Sequence, residues 1–299
     1  MRFSLILATL GRTEEIPRLL DSIAGQKAGE IPFRDVELIV VDQNSDDRLV
    51  PILEQYRPHL PIVHLRSAPG LSRARNVGMA AVTGDIVAFP DDDAWYPSDL
   101  LHRVKGFFTE DPDLMGCTGL CTDGKGNVTV GGDCSRTAQL KYSNAWKCGV
   151  SASIFLRTPL LRDVGAFDEQ LGLGSGTPFQ SGEETDILIR AIARGYKIMF
   201  RPDLQIFHPM PNRTADRVNL QRTWGYAMGM GRVMHKHHYN PFWVLYNVAR
   251  PVGGAAASLI CGKTDMARLR LTSAVGRLQG WLARETYVPA PPVWLSTKE

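Results

Sequence analysis

The first ninety residues alternate short apolar β-runs with helical stretches, and that alternation restricts the chain to a parallel sheet joined by right-handed crossovers. Residues 3–8 read as a strand. Residues 14–24 read as a helix, with Ile16, Leu19, Leu20 and Ile23 at helical spacing, Thr13 placed to cap it and Pro17 in its tolerant first turn. The β-branched run at 36–41 suits a strand covered on both faces. A helix at 49–56, a strand at 62–65, a helix at 72–82 and a strand at 86–89 continue the pattern. Ligands of such sheets bind outside the carboxyl ends of the strands. Thr9, Asp42 and Asp91 each close a strand, so the three are expected to line one crevice.

Beyond this unit a helix is expected from Pro97 to about residue 108, with the proline at its first position. Residues 115–142 read as a glycine-rich excursion with short strands, 150–156 as a strand and 159–164 as a short helix. A helix over 183–194 stops at Gly195, strands follow at 197–200 and 205–208, and 214–285 reads as two or three long helices. The tail at 288–299, with Pro289, Pro291 and Pro292, is expected to be irregular. The 299 residues are enough for a full core and divide into 1–212 and 213–299.

Charge separates the two parts. Residues 1–212 hold 22 Lys+Arg and 27 Asp+Glu, a net −5, and residues 213–299 hold 12 and 4, a net +8. The basic segment suggests an anionic partner surface. Trp224, Tyr226, Trp243 and Tyr246 mix there with Arg217, Arg222, Arg232, Lys236 and Arg250, as in helices that lie in an anionic membrane interface. Against that stands packing of the same helices on the preceding domain, over its cleft or in a dimer. No nucleic-acid module is recognisable, so nucleic acid is not an expected partner. No run of 18 or more apolar residues exists, so no spanning helix is expected. The apolar run at the amino terminus is broken by Gly11, Arg12, Glu14 and Glu15, which favours a first strand over a signal peptide. Cys117, Cys121, Cys134, Cys148 and Cys261 form no CxxC pair and match no usual zinc framework. Reduced thiols and a cytoplasmic location, peripheral at the membrane if the basic helices reach it, are the expectation.

Three constellations carry chemistry. The apolar run at 86–89 delivers Asp91, Asp92 and Asp93, a way to hold a hard divalent cation together with the oxygens of a bound phosphate. Gly70-Leu71-Ser72-Arg73-Ala74-Arg75-Asn76-Val77-Gly78 sets a glycine, a hydroxyl and two arginines at a helix entrance, where amides and dipole favour an anion. Ser181-Gly182-Glu183-Glu184-Thr185-Asp186 opens a helix after a long glycine-laden approach, 172–178. A carboxylate there can act as general base toward a hydroxyl. Acidic residues in a first turn also serve simply as dipole partners. His208 closes a strand, and if that strand returns to the crevice its imidazole favours manganese over magnesium.

Leu5-Ile6-Leu7-Ala8-Thr9-Leu10-Gly11-Arg12, Leu38-Ile39-Val40-Val41-Asp42-Gln43-Asn44-Ser45, the 72–78 segment, the three aspartates and Gly182-Glu183-Glu184-Thr185-Asp186 occur in one order and spacing. Over residues 1–210 the chain resembles the family-2 glycosyltransferases. The resemblance implies a GT-A-type nucleotide-diphospho-sugar transferase fold, a Rossmann-like mostly parallel sheet, here with an α-helical extension. It implies inverting transfer of a sugar from a nucleotide-diphospho-sugar to a carbohydrate or lipid-linked saccharide acceptor, with Mn2+ or Mg2+ as cofactor, as in polysaccharide or glycolipid assembly. Thr9, Arg12, Asp42 and Gln43 would surround the nucleoside, and Arg73, Arg75, Asn76, Asp91 and Asp92 would line the donor. Asp91 and Asp93 match the Asp-x-Asp signature of the cation site, which His208 would join. Glu184 stands where the family usually has the aspartate base, with Glu183 beside it. Gln43 replaces a second aspartate common after the second strand, which leaves the base of the nucleotide open.

Two rival readings follow from the same residues. A nucleotidyltransferase also uses paired metal-binding carboxylates on an α/β sheet, but Leu10-Gly11-Arg12 lacks the Gly-rich, Lys-containing signature expected there. A degenerate sugar-nucleotide-binding subunit would have no need of Asp91, Asp93 and the Glu183, Glu184 pair.

Overall fold

The computed structural model describes residues 1–26, 32–132, 135–212 and 214–283. Cys134 and the tail at 288–299 lie outside the described residues. Alternate residues of β1 (Phe3–Thr9) and β2 (Val36–Asp42) face opposite sides of the sheet, and both sides are apolar. Phe3, Leu5, Leu7, Leu38 and Val40 join one core with α1 (Ile16–Ala24), α2 (Val50–Tyr56) and α4 (Leu100–Glu110). Ile6, Ile39 and Val41 join the other with α3 (Leu71–Met79), α6 (Thr158–Val164) and α7 (Glu183–Ala193). Helix, sheet and helix thus form three layers. Burying a Leu, Ile or Val side chain fully contributes about 1.5–3 kcal/mol, so this double-sided burial is what holds β1 and β2 at the centre.

Strands β3 (Ile62–Arg66), β2, β1 and β4 (Ile86–Ala88) pair in parallel, in that order. Thr9 pairs in register with Asp42. The sheet continues through β8 (Ile154–Arg157), antiparallel to β4, then β5 (Leu114–Thr122) and β9 (Lys197–Phe207), which are parallel to each other. Short β6 (Val128–Val130) pairs with β5 and β7 (Ala138–Gln139) with β9. Helix α5 (Ala145–Cys148) lies between β7 and β8 in sequence.

Three local expectations change. The first helix starts at Ile16 with Glu15, not Thr13, at its cap position, and no side chain caps it; Pro17 sets the first turn instead. Pro97 stands outside α4, which begins at Leu100 behind Asp99. The two strands expected at 197–200 and 205–208 are one strand whose pairing with β5 shifts between Thr118 and Leu120. The shift absorbs Pro202, which has no N–H to offer the ladder. Cys117 and Cys121 are buried within β5, where burial pushes both thiols far above their usual range.

The long helices α8 (Arg217–Lys236), α9 (Pro241–Ile260) and α10 (Thr264–Leu282) follow the sheet. Asp216 caps α8 by accepting from the Asn219 amide at 2.8 Å, and Asn240 caps α9 by accepting from the Phe242 amide at 2.9 Å. Met228, Val233 and Met234 of α8 share a third core with Ala145, Leu171, Phe179 and Ile189. At Gly229 a Cβ would stand 2.2 Å from the Ser181 carbonyl oxygen, so only glycine lets α8 press against the segment that leads into α7.

Candidate active site

Past β4, Phe89 and Pro90 carry the chain to the three aspartates at the carboxyl edge of the sheet. Thr9, at the end of neighbouring β1, donates its hydroxyl to Asp92 at 2.8 Å. Arg12 spreads over three carboxylates: Nε to Asp92 at 2.9 Å, NH2 to Asp93 at 3.0 Å and NH1 to Glu15 at 2.6 Å. Burial pushes the Asp92 carboxyl up to about 6, against the pull of Thr9 and Arg12. It raises Asp91 as well, opposed by Arg75 and His208.

Strand β9 does return to this edge. The His208 Nε2 lies 3.3 Å from Asp93 Oδ1, and its Nδ1 lies 2.7 Å from the Pro209 carbonyl oxygen. A carbonyl oxygen only accepts, so Nδ1 carries the proton and, in the neutral ring, Nε2 turns a lone pair toward a carboxylate oxygen. Two facing lone pairs call for a cation or a proton between them. Two neighbouring ligands of an octahedral ion at about 2.1 Å stand about 3 Å apart, close to the separation found. Oxygen donors with one imidazole suit Mn2+ or Mg2+, the imidazole favouring the former. Among the described residues no three His, Cys, Asp or Glu side chains are grouped to hold a metal unaided. Asp91, Asp93 and His208 are thus not drawn together into one three-ligand set.

Arg75 joins this edge to the second acidic cluster. It is 2% exposed, donates NH1 to Glu183 Oε1 at 2.9 Å and NH2 to the Ser151 hydroxyl, and lies 3.8 Å from Asp91 Oδ1. The guanidinium also stacks near the Phe89 and Phe167 rings, at 5.6 and 5.4 Å. Gly182 enters α7 at φ +93°, a conformation open to glycine, and sets Glu183 and Glu184 in the first turn. Glu183 is thus neutralised by Arg75. The Glu184 Oε2 is buried and has no hydrogen-bond partner among the described residues. Burial and the neighbouring Glu183 charge hold the Glu184 carboxyl well above the usual range. Asp186, two residues on, belongs to the framework. Its fully buried carboxylate meets Lys236 Nζ at 2.7 Å, His237 Nε2 at 2.8 Å and Arg190 Nε at 3.0 Å. The His237 hydrogen bond and these cations outweigh burial and pull its carboxyl below the ordinary range.

The remaining expected residues face inward or lie at the rim. Asp42 is fully buried; it accepts from the Asn44 amide at 2.9 Å and pairs with Arg66 at 3.0 Å and His64 at 3.1 Å. Gln43 accepts from the Gly70 amide at 2.8 Å. The Leu71 amide donates to the Leu173 carbonyl at 2.8 Å and Ser72 to the Leu171 carbonyl at 2.6 Å. The entrance of α3, expected to cradle an anion, is therefore closed by the chain's own loop. Asn76 accepts from the Phe167 amide at 2.8 Å and donates back to its carbonyl at 3.0 Å. Arg73, its side chain 45% exposed, pairs with Glu169 at 3.0 Å and donates NH1 to the Pro69 carbonyl at 3.2 Å.

Motif reading missed what α8 brings. Its Gly225 carbonyl accepts from the Gln180 amide at 3.0 Å and its Tyr226 carbonyl from the Ser181 hydroxyl at 2.8 Å, which fixes the approach to α7. The Tyr226 phenol, which accepts from Arg222 Nε at 2.9 Å, is pushed up by burial and feels the charges of Glu183 and Asp91. The mixture of aromatic and basic residues was the one available signal, and it does not say which face turns inward.

A family model described as glycosyl transferase family 2 matches residues 4–160, just over half of the chain. A PGL/p-HBAD biosynthesis glycosyltransferase of Mycobacterium bovis is 37% identical over 112 residues, which are 36% of this chain and 42% of that protein. The chain thus spans less than half the length of that relative. The mannosyltransferase PcManGT from Pyrobaculum calidifontis, solved in complex with GDP-Man and Mn2+, has the same fold. Its TM-score is 0.65 at 19% identity, with 93% of this chain and 87% of that one covered. S. aureus TarS 1-349, in complex with UDP-GlcNAc, gives 0.59 at 17% identity with 91% of each chain covered.

Proposed function

The chain belongs to glycosyl transferase family 2, and on that premise we propose that it is an inverting glycosyltransferase. It moves a sugar from a nucleotide-diphospho-sugar to an acceptor hydroxyl in the assembly of a polysaccharide or glycolipid. The observation that carries this reading is the Arg75 bridge, which reaches from Glu183 to Asp91 and makes one site of two acidic clusters.

In this reading Asp93 and His208 would hold Mn2+ or Mg2+, with Asp91 as a further ligand drawn in by the ion, and the ion would supply positive charge to the diphosphate of the donor. Thr9 and Arg12 fix Asp92 and Asp93 in place, and Arg12, 38% exposed, stays close enough to solvent to turn toward the donor. Asp42 and Gln43 shape the nucleoside end by holding the β3 arginine Arg66 and the entrance of α3. Glu184 is the base. Its unpartnered oxygen accepts the proton of the acceptor hydroxyl as that oxygen attacks the anomeric carbon. The bond from that carbon to the diphosphate oxygen breaks on the opposite face and the electron pair leaves with the diphosphate, so one displacement inverts the centre. A raised carboxyl pKa suits the role, because a base is most effective when its pKa lies near the working pH. Arg75 neutralises Glu183, which limits how far Glu184 is raised.

The test is a thermal-shift screen against UDP-, GDP-, dTDP- and CMP-sugars, each with Mn2+, Mg2+ or chelator. A ligand that binds only the folded protein raises its unfolding temperature. One nucleotide should stabilise the protein with metal and not with chelator, and Asp93→Ala should abolish that shift. Absence of any shift in folded protein, or an unchanged shift in Asp93→Ala, would overturn the donor site.

A further inference from the structure

The chain between Asp168 and Asp186 runs as a loop up to Gly182 and carries the proposed base near its end. This loop is braced from within. The Gly172 amide donates to the Phe179 carbonyl at 2.9 Å, and the Thr177 hydroxyl to the Gln170 carbonyl at 2.7 Å. The Gln180 side chain accepts from the Gly174 amide at 3.2 Å and donates to the Ser175 hydroxyl and the Thr177 carbonyl. Gly172, at φ +95°, fits where a Cβ would stand 3.1 Å from Glu183 Oε2 and 3.3 Å from the Ser72 hydroxyl. A loop cross-linked in this way shifts as a body, so its placement depends on its ties to the framework.

Both ends of the loop meet one side chain. Lys236, the last residue of α8, sets its Nζ 2.9 Å from Asp168 Oδ2 and 2.7 Å from Asp186 Oδ1. Asp168 is 3% exposed and Asp186 fully buried, so water does not replace the ammonium for either. The two carboxylates are held differently. Asp186 is also faced by Arg190 and His237, which belong to the framework. Asp168 bonds through Oδ1 to the Gln170 amide of its own loop, at 3.0 Å, and through Oδ2 to Lys236. Other ties of the loop, from Leu71 and Ser72 of α3 and to Gly225 and Tyr226 of α8, are neutral hydrogen bonds. A charge-assisted bond is roughly twice as strong as a neutral one, which makes Lys236 the strongest of these ties.

We propose that Lys236 is a positioning residue for the acceptor: its ammonium fixes the start of this loop to α7 and so sets the loop as a wall beside the first turn that carries Glu184. The proposal rests on Glu184 as the base. An acceptor hydroxyl that gives its proton to Glu184 must lie beside that turn. One side of the turn faces Arg75 and Asp91, where the donor is placed. The loop borders the turn as well, with Gly172 against Glu183. Lysine suits the task, because a compact charge with three donors can be shared by two carboxylates.

Lys236→Met and Asp168→Ala test it in the full chain, each with unchanged circular dichroism. Amide deuterium exchange needs no substrate and reads local opening directly. In both variants the Leu71, Gly172 and Gln180 amides, bonded within or to the loop, should exchange about tenfold faster, the effect of one lost bond to a charged group. Amides of β1 and β2 should not change. Transfer from the donor found by the thermal-shift screen to octyl glucoside, galactoside or mannoside gives the second readout. The acceptor KM should rise about tenfold or more, with the donor-induced thermal shift kept. Unchanged exchange in either variant overturns the tie. Faster exchange with an unchanged acceptor KM overturns the positioning role, as does an equal loss of donor and acceptor affinity. A native protein that turns over no donor counts against the transferase reading instead, and the exchange result still decides the tie.

Discussion

Asp92 and Asp93 meet Thr9, Arg12 and His208 within 3.3 Å, whereas Glu184 keeps a buried oxygen with no partner among the described residues. Both clusters are acidic and both lie at the entrance or exit of a regular element, yet their surroundings suit different work. A carboxylate already faced by cations is a place where one positive charge can replace another. A buried carboxyl beside a second one holds its proton more tightly than usual, so it is fitted to take a proton from a hydroxyl. The neighbour Asp186 shows the third outcome, a carboxylate held in the framework by Arg190, Lys236 and His237. Partnering, more than residue type, separates the roles.

Glu184→Gln is the sharpest way to break this contrast. Transfer should fall by about 100- to 10,000-fold, the range of a lost general base, while the donor-induced thermal shift stays. In the native enzyme the acid limb of kcat/KM should lie above the ordinary carboxylate range, because the base must be unprotonated and its pKa is raised. Full transfer in the variant would move the base to Glu183.

Asp186→Asn should leave the chemistry in place and cost about 3–5 kcal/mol of stability, read from urea unfolding, since it removes the buried charge that Arg190, Lys236 and His237 share. The pH dependence has a definite sign. The carboxyl is depressed in the folded state, so its contribution is present above the unfolded pKa near 4 and is lost as pH falls below it. The native protein should therefore lose stability on acidification more steeply than the variant, and parallel curves would refute the locked role. The smallest effect belongs to Arg73→Gln. Its pair with Glu169 is exposed, so stability should change by less than about 1 kcal/mol. Donor affinity should fall about tenfold if the guanidinium meets phosphate, and an unchanged affinity would leave Arg73 a rim residue.

Much of this was legible in the sequence. Alternation of apolar runs placed β1 to β4 and their helices within three residues, the helix expected at 72–82 ending at Met79, because those elements are fixed by local periodicity and by burial on both faces. His208 entered only on the condition that its strand return to the edge, and that condition is met. What local pattern could not carry is the fate of neighbouring side chains. Arg73 and Arg75 stand two residues apart in one helix, yet one reaches solvent and the other is sealed between Phe89 and Phe167. Asp42 looked like a crevice residue from its place at a strand end, but His64 and Arg66, set beside it by the pairing of β2 with β3, draw its carboxylate inward. The contacts of Gly225, Tyr226 and Gly229 with the approach to α7 span more than forty residues and leave no mark in either segment alone.

The pressing of α8 on Ser181 also sets an order of assembly. The pairings among β1, β2, β3 and β4 all lie within the first ninety residues, so the half of the site built on Thr9 and the aspartates can form early as a chain is synthesised from its amino end. The turn that aims Glu184 leans on a helix that begins only at Arg217. The turn that carries Glu184 is thus completed only once α8 is present.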